Sequence, residues 1–359
     1  MQKGDDFLSP HTKEAVDILP HQVNTSQAVV CVIVIAYRHE QYIKACLDSI
    51  LAQETDFPYY IFIAEDDSPD NTRAICTAYA KQFPDKIVLA HNHRDNNISL
   101  NGRPSARHNY FHALLASESK YVAFCEGDDA WNNPLKLQKQ VDFLEAHDDF
   151  NLSYTNSDVA NSTDKPLSLD KFQTSAAFDF NFQQSVQAKN GPTLTIVFKR
   201  DRLDLAHYFN LISESAMGDW PLELLLSLTG EGHHHDFTSA VYNRRSKGST
   251  LLYLAKPYVY YDSRISFIGK LLTTTELSTN QLRFLHRFHA KNLFIRASIH
   301  FKEGKFTDWT KDQVSAVRSW LQSNPISPLN VDWVTRYRWI SVIKLATRIY
   351  GSAFKQLFR

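Results

Sequence analysis

The sequence predicts an α/β fold: a mostly parallel central sheet flanked by helices, followed by a C-terminal helical extension. Three observations predict it. Val29 to Ala36 is an unbroken apolar run of strand length, the composition of a parallel strand buried on both faces. Ile43, Cys46, Leu47, Ile50 and Leu51 then recur at i, i+3, i+4, i+7 and i+8, which paints one face of an amphipathic helix. The same alternation of strand-like and helix-like segments repeats downstream, the pattern of βαβ units.

Residues 1–28 are polar, with Pro10 and Pro20, and read as an N-terminal extension; the main domain spans 29–262. A second strand, Tyr59 to Ala64, ends in Glu65-Asp66-Asp67-Ser68-Pro69-Asp70, where Ser68 reads as the cap of a helix with Pro69 at its first position. Ile87 to Ala90 is a third strand, Asn109 to Ala116 a helix, and Tyr121 to Phe124 a fourth strand. The helix Leu135 to Ala146 sets Leu137, Val141 and Leu144 on one face. Asn161 to Asn190, rich in Ser, Asp, Asn, Gln and Phe, reads as long surface loops. Order returns with a strand at Thr193 to Lys199, a leucine-rich helix opened by Gly218-Asp219-Trp220-Pro221, and a strand at His233 to Asn243. Residues 263–359 read as a helical region.

Lys plus Arg equals Asp plus Glu at 39 each, so the balance gives no footprint for nucleic acid. The four cysteines show no C-x-x-C spacing, which fits a reduced, cytoplasmic setting. The N-terminus has no apolar core of a secretory signal, and the longest apolar run falls far short of the ~20 residues that cross a bilayer.

In such sheets ligands bind at the carboxyl ends of the strands, where both acidic clusters, Glu65 to Asp67 and Glu126 to Asp129, fall. Glu126, Asp128 and Asp129 crowd three negative charges into four residues. Like charges that close raise one another's pKa unless a cation or a donor sits among them. Mg²⁺ or Mn²⁺, held by one or two carboxylates with substrate phosphates and water, answers that need. An acidic turn, with Gly127 as the bend and Asn133 and Pro134 opening the next helix, remains the alternative. The first βα turn, Tyr37 to Gln41, lacks the glycines that a dinucleotide pyrophosphate requires.

The segments VVCVIVIAYRHEQYIKACLDSILAQ, IFIAEDDSPDNT and YVAFCEGDDAWNNPLKLQKQVDFLE together resemble the family 2 glycosyltransferases of the GT-A (Rossmann-like) fold, over about Val29 to Ser249. The resemblance implies an inverting transfer of sugar from a nucleoside-diphosphate donor, with uridine as the expected base, to a hydroxyl of a glycan or lipid-linked acceptor in surface-polysaccharide or lipopolysaccharide synthesis. It places Tyr37 beside the base and Asp67, with Asp66 next to it, as acceptor of the uracil N3–H. It maps the family's D-x-D-D element onto Glu126-Gly127-Asp128-Asp129, with Asp128 and Asp129 on the metal and Glu126 reaching it through water or meeting the ribose. Glu replaces the family's first Asp there. Arg107 is expected at phosphate, and Arg245, with Arg244 and Lys247, at the diphosphate. A family His is absent from that last loop. Asp219 takes the position of the base that removes the acceptor's proton; capping the helix that Pro221 begins is its other reading. His233 and His235 share one side of a strand and His234 the other, which argues against a zinc site.

In the tail 331–359, Trp339, Ile343, Ala346, Tyr350, Ala353 and Leu357 share one helical side and Lys344, Arg348, Lys355 and Arg359 the other. Such a basic amphipathic helix either lies on an anionic membrane surface, making the protein peripheral on the inner face of the cell membrane, or packs on the protein itself. Two rivals are a non-catalytic sugar-nucleotide-binding protein and a sugar nucleotidyltransferase. The second requires a glycine-rich, basic first turn that Tyr37 to Gln41 does not supply.

Overall fold

The structure is a computed structural model that describes residues 7–100, 103–160, 174–212, 215, 217–243 and 257–302. The chain divides into two compact units, Met1–Ser213 with Gly218–Ser246, and Glu214–Met217 with Lys247–Arg359.

In chain order the first unit contains β1 (Asp17–Ile18), β2 (Val30–Ala36), α1 (Ile43–Leu51), β3 (Tyr59–Glu65), α2 (Thr72–Gln82), β4 (Ile87–His91), β5 (Ile98–Leu100), β6 (Arg103–Ser105) and α3 (Arg107–Ala116). It continues with β7 (Tyr121–Phe124), β8 (Ala130–Trp131), α4 (Lys136–Ala146), β9 (Phe150–Ala160), β10 (Phe178–Phe180), α5 (Phe182–Gln187), β11 (Val197–Lys199), α6 (Leu205–Ile212), α7 (Asp219–Leu226) and β12 (Glu231–Asn243). The second unit contributes two helices, Pro257–Thr274 and Thr279–Lys302.

The sheet runs in the order β1-β4-β3-β2-β7-β11-β9-β12-β10. Its heart, β4-β3-β2-β7, is parallel throughout. Beyond β7 the sheet turns mixed: β11 is antiparallel to both β7 and β9, while β12 runs parallel to β9. The fold is therefore a mixed α/β sheet flanked by helices, parallel where the ligand edge is expected. Val30, Cys31, Val32 and Val34 of β2 are fully buried. Each valine so buried contributes about 1.5–3 kcal/mol, which is why an unbroken apolar run becomes the central strand.

Several local expectations are corrected. The helix after β3 starts at Thr72, and Asp70 accepts from the Thr72 amide at 3.1 Å where Ser68 was expected to cap. Asn133 accepts from the Leu135 amide, and α4 begins at Lys136. Thr193–Thr195 is a 3₁₀ turn ahead of the short β11. Leu8 is buried and Asp17–Ile18 pair with β4, so part of the polar N-terminal segment adds to the sheet.

Strand β9 has no counterpart in the sequence reading. Its FNLSYTNSDVA is polar, yet Asn151 to Ser157 are buried. The polar groups are satisfied inside: Asn151 donates to Leu226 O, Gln140 to Ser153 O, and Asn156 to Asp236 O. Buried polar atoms persist when they are paired in this way.

Candidate active site

The carboxyl ends of β2, β3 and β7 are brought together by the backbone. The Asp66 amide donates to Ala36 O at 3.0 Å and the Gly127 amide to Ile35 O at 3.1 Å, so both acidic clusters border the end of β2. Arg38 and Asp67 carry φ values of 56° and 55°, the two left-handed non-glycine residues found among the described residues. Backbone of this kind concentrates at functional sites.

Asp66 is 2% exposed. It accepts from Arg94 Nη1 at 2.7 Å, Asn97 Nδ2 at 3.1 Å and Asn109 Nδ2 at 2.5 Å. Burial pushes its carboxyl above the usual range, partly offset by these donors and by the Arg94 charge. The Arg94 guanidinium lies 4.0 Å from the centroid of Tyr37, so one arginine joins the expected base-side aromatic to Asp66. Asp67 differs: its side chain is 48% exposed and has Arg73 Nη1 at 3.4 Å. Of the two aspartates, Asp67 is the one open to a ligand. Glu65 is buried and anchored by Arg73 Nε and the Ser68 amide.

At the end of β7, Gly127 is closely packed: a Cβ there would stand 2.7 Å from His39 Nδ1 and 3.0 Å from Ile43 Cδ1, so a side chain would displace its neighbours. The turn thereby presses onto the β2–α1 connection. Glu126 Oε2 is buried with no hydrogen-bond partner among the described residues. Burial first, and the Asp128 charge second, push its carboxyl up to about 7. Asp128 has His39 Nε2 at 3.7 Å. Asp129 is 3% exposed, and its Oδ1 accepts from the Asn243 amide at 2.8 Å, tying the turn to the end of β12. Among the described residues no group of three or more His, Cys, Asp or Glu side chains is arranged to hold one ion. The unpartnered Oε2 of Glu126 beside the charge of Asp128 is nonetheless the setting a divalent cation fits.

Asp219 is the first residue of α7, after Gly218 at the cap position, and its side chain accepts one amide of the first turn. Lys189 Nζ and Thr193 Oγ1 donate to its Oδ2 at 2.6 and 3.2 Å, and the Trp220 amide to Oδ1 at 2.9 Å. Burial raises the carboxyl, but Lys189 and these hydrogen bonds outweigh it and hold Asp219 below the usual carboxylate range. Tyr208 donates to Gly218 O at 2.8 Å, fixing the residue before it. Asp219, Lys189 and Asp128 all act on Glu126 electrostatically, which joins the β7 turn to the start of α7. Arg107 is 9% exposed and donates from Nη1 to Ile212 O at 2.7 Å, so its guanidinium ties α3 to α6 where the sequence reading sent it to phosphate. Arg245 and the tail 331–359 lie outside the described residues.

The model of glycosyl transferase family 2 matches residues 31–201. This segment belongs to that family. The uncharacterized protein Rv1520 of Mycobacterium tuberculosis is 30% identical over 226 residues, 60% of this chain and 59% of that protein. The dTDP-rhamnosyl transferase RfbG of Shigella flexneri is 26% identical over 186 residues, 51% of this chain and 59% of that protein. The chain thus spans about 59% of the length of these curated relatives. Among solved structures, S. aureus TarS 1-349 in complex with UDP-GlcNAc matches with a TM-score of 0.54 at 16% identity, covering 82% of this chain and 81% of that one. Mannosyltransferase PcManGT from Pyrobaculum calidifontis, in complex with GDP-Man and Mn²⁺, matches with a TM-score of 0.50 at 15% identity over 96% and 93% of the two chains. At those identities the likeness is one of fold, the GT-A sheet flanked by helices.

Three side chains of this site escaped the sequence reading. Arg94 lies in the segment after β4, Lys189 in a stretch read as surface loop, and Glu223 inside the leucine-rich helix. A signal existed for Glu223: one acid in Trp220-Pro221-Leu222-Glu223-Leu224-Leu225-Leu226, four residues after Asp219, must share a helix face with it. His233 to His235 are absorbed by packing, with His233 on Asp179 at 2.6 Å and His234 on Asn190 O at 2.7 Å.

Proposed function

We propose that the protein is an inverting, metal-dependent glycosyltransferase that moves a sugar from a UDP-type donor to a hydroxyl of a glycan or lipid-linked acceptor of a cell-surface polymer. The observation that carries this reading is the buried, unpartnered Oε2 of the half-buried Glu126 at the end of β7, with Asp128 and Asp219 in its field. Membership of glycosyl transferase family 2 supports the reaction class. A nucleotide-sugar donor is supported by the ligands named for TarS and PcManGT. The acceptor class is supported by RfbG and by the minor teichoic acid biosynthesis protein GgaB of Bacillus subtilis, 33% identical over 99 residues, 27% of this chain and 10% of that protein.

In this reading Asp67 faces the base and the Tyr37–Arg94 pair lines its approach. Glu126 and Asp128 would hold Mn²⁺ or Mg²⁺, while Asp129 serves the turn through Asn243. The cation would stabilise the charge that develops on the departing nucleoside diphosphate. Asp219 accepts the acceptor hydroxyl's proton as that oxygen bonds to the anomeric carbon and the bond from carbon to diphosphate oxygen breaks. A carboxylate held below the usual range is ionised throughout neutral pH, as a proton acceptor must be.

UDP release from a panel of UDP-sugars with Mn²⁺ tests the proposal. The wild-type protein should release UDP slowly to water, and Asp219→Asn should lower the rate about 10²–10⁴-fold. Binding of UDP-sugars without any UDP release would instead support the non-catalytic binding protein.

A further inference from the structure

Beyond the base itself, the structure contains a device that aims it. Lys189 lies just after α5, thirty residues from Asp219 in sequence, with Nζ 2.6 Å from Asp219 Oδ2 and 2.6 Å from Thr193 Oγ1. Its side chain is 17% exposed, against 40% for Asp219. The segment that carries it is fixed on three sides. Asn190 donates from its amide to Glu223 Oε2 at 3.0 Å and from Nδ2 to Oε1 at 2.6 Å, and its carbonyl meets His234 Nδ1 at 2.7 Å. Gly191 admits no side chain, since a Cβ would stand 2.1 Å from the Tyr154 ring. On the other side, the Trp220 indole donates to Ser185 O at 2.6 Å and anchors α7 next to the same segment.

Two consecutive residues therefore grip two carboxylates one helical turn apart, Lys189 on Asp219 and Asn190 on Glu223. Glu223 is fully buried and takes no part in the proposed chemistry; its contacts fix the backbone from which Lys189 reaches. The consequence falls on the oxygens of Asp219. Oδ2 receives two donors and Oδ1 one, the Trp220 amide. A carboxylate oxygen accepts two hydrogen bonds, so Oδ1 keeps a lone pair in a defined direction.

We propose that Lys189 is a positioning residue: held by the Asn190–Gly191 clamp, it locks Oδ2 of Asp219 so that Oδ1 alone is presented to the acceptor hydroxyl. This rests on the function proposed above. Lys189 acts mainly by its hydrogen bond to Asp219, with a minor through-space effect of its charge on Glu126.

The test compares wild type with Lys189→Met, Lys189→Arg, Asp219→Asn and the Lys189→Met/Asp219→Asn double variant, using the UDP-sugar that is turned over fastest with Mn²⁺. Loss of geometry at a reacting group costs up to about 10²-fold, so Lys189→Met should lower kcat roughly 10–100-fold. KM for the donor and the Kd for UDP should stay within about twofold, since no uniform binding is removed. Lys189→Arg should restore most of kcat. The double variant should be no slower than Asp219→Asn, because residues acting as one unit are not additive. Wild-type kcat in Lys189→Met, a loss confined to UDP affinity, or losses that multiply in the double variant each overturn the inference while leaving the glycosyltransferase reading intact. A wild-type protein that releases no UDP sinks that reading, and this inference with it. Should Lys189→Met not fold by circular dichroism, Lys189→Gln replaces it with the same expected outcome.

Discussion

Asn109 Nδ2 donates to Asp66 Oδ1 at 2.5 Å, bolting the first turn of α3 to the carboxyl end of β3. With Arg94 and Asn97 on its other oxygen, Asp66 acts as the buried knot of the nucleotide side, while its neighbour Asp67 turns outward through a left-handed backbone. The two aspartates should therefore separate by experiment. Asp66→Ala leaves the buried Asn109 amide and the half-buried Arg94 and Asn97 without an acceptor and should cost about 1–3 kcal/mol in urea unfolding. Asp67→Ala, losing one exposed ion pair, should cost less than about 1 kcal/mol yet weaken UDP binding. Equal destabilisation by both substitutions would contradict this division.

Gly127→Ala should be poorly tolerated. The added methyl meets His39 Nδ1 and Ile43 Cδ1 at 2.7 and 3.0 Å, and the neighbouring Ile35 carbonyl at 3.2 Å limits relief. Overpacking of this kind costs about 1–3 kcal/mol, and the displaced turn carries Glu126 and Asp128. A variant with wild-type Tm and wild-type UDP affinity would show that the turn is not packed on the β2–α1 connection.

Glu126 makes stability depend on pH in the direction opposite to an ion-paired acid. Its folded pKa, about 7, stands above the ordinary 4.5, so the folded apoprotein binds the proton more tightly than the unfolded chain. Stability should be highest below about pH 4.5 in this respect and decline through pH 7, by on the order of 1–3 kcal/mol. Glu126→Gln removes the effect: the metal-free variant should melt above wild type at pH 8, with the gap closing at pH 4.5. Added Mn²⁺ should raise the Tm of wild type at pH 8 more than that of Glu126→Gln, which keeps only Asp128 as a carboxylate for the cation. A Glu126→Gln variant less stable than wild type at pH 8 without metal would remove the buried charge from the account.

What was legible in the sequence follows from how local each signal is. The apolar runs of β2 and β3 and the periodic face of α1 depend on neighbours a few residues away, and their positions agree with the structure within a residue or two. Both acidic clusters were equally legible, being contiguous and at strand ends. Polar β9 was not, because its burial depends on partners such as Gln140, Leu226 and Asp236 that no local pattern reveals. Lys189 was hidden for the same reason: it sits in a polar stretch, and its meaning comes from Asp219 thirty residues on. Asp66 and Asp67 are adjacent and chemically identical; only the left-handed turn at Asp67 assigns one inward and the other outward.

Calorimetric titration of UDP into the protein, with and without Mn²⁺, and into Glu126→Gln/Asp128→Ala, tests the donor site most directly. The account predicts binding that tightens at least about tenfold with Mn²⁺, worth about 1.4 kcal/mol, and loses that gain in the double variant. UDP that binds equally well without metal and in the variant would contradict it, returning the Glu126–Asp129 turn to a purely structural role.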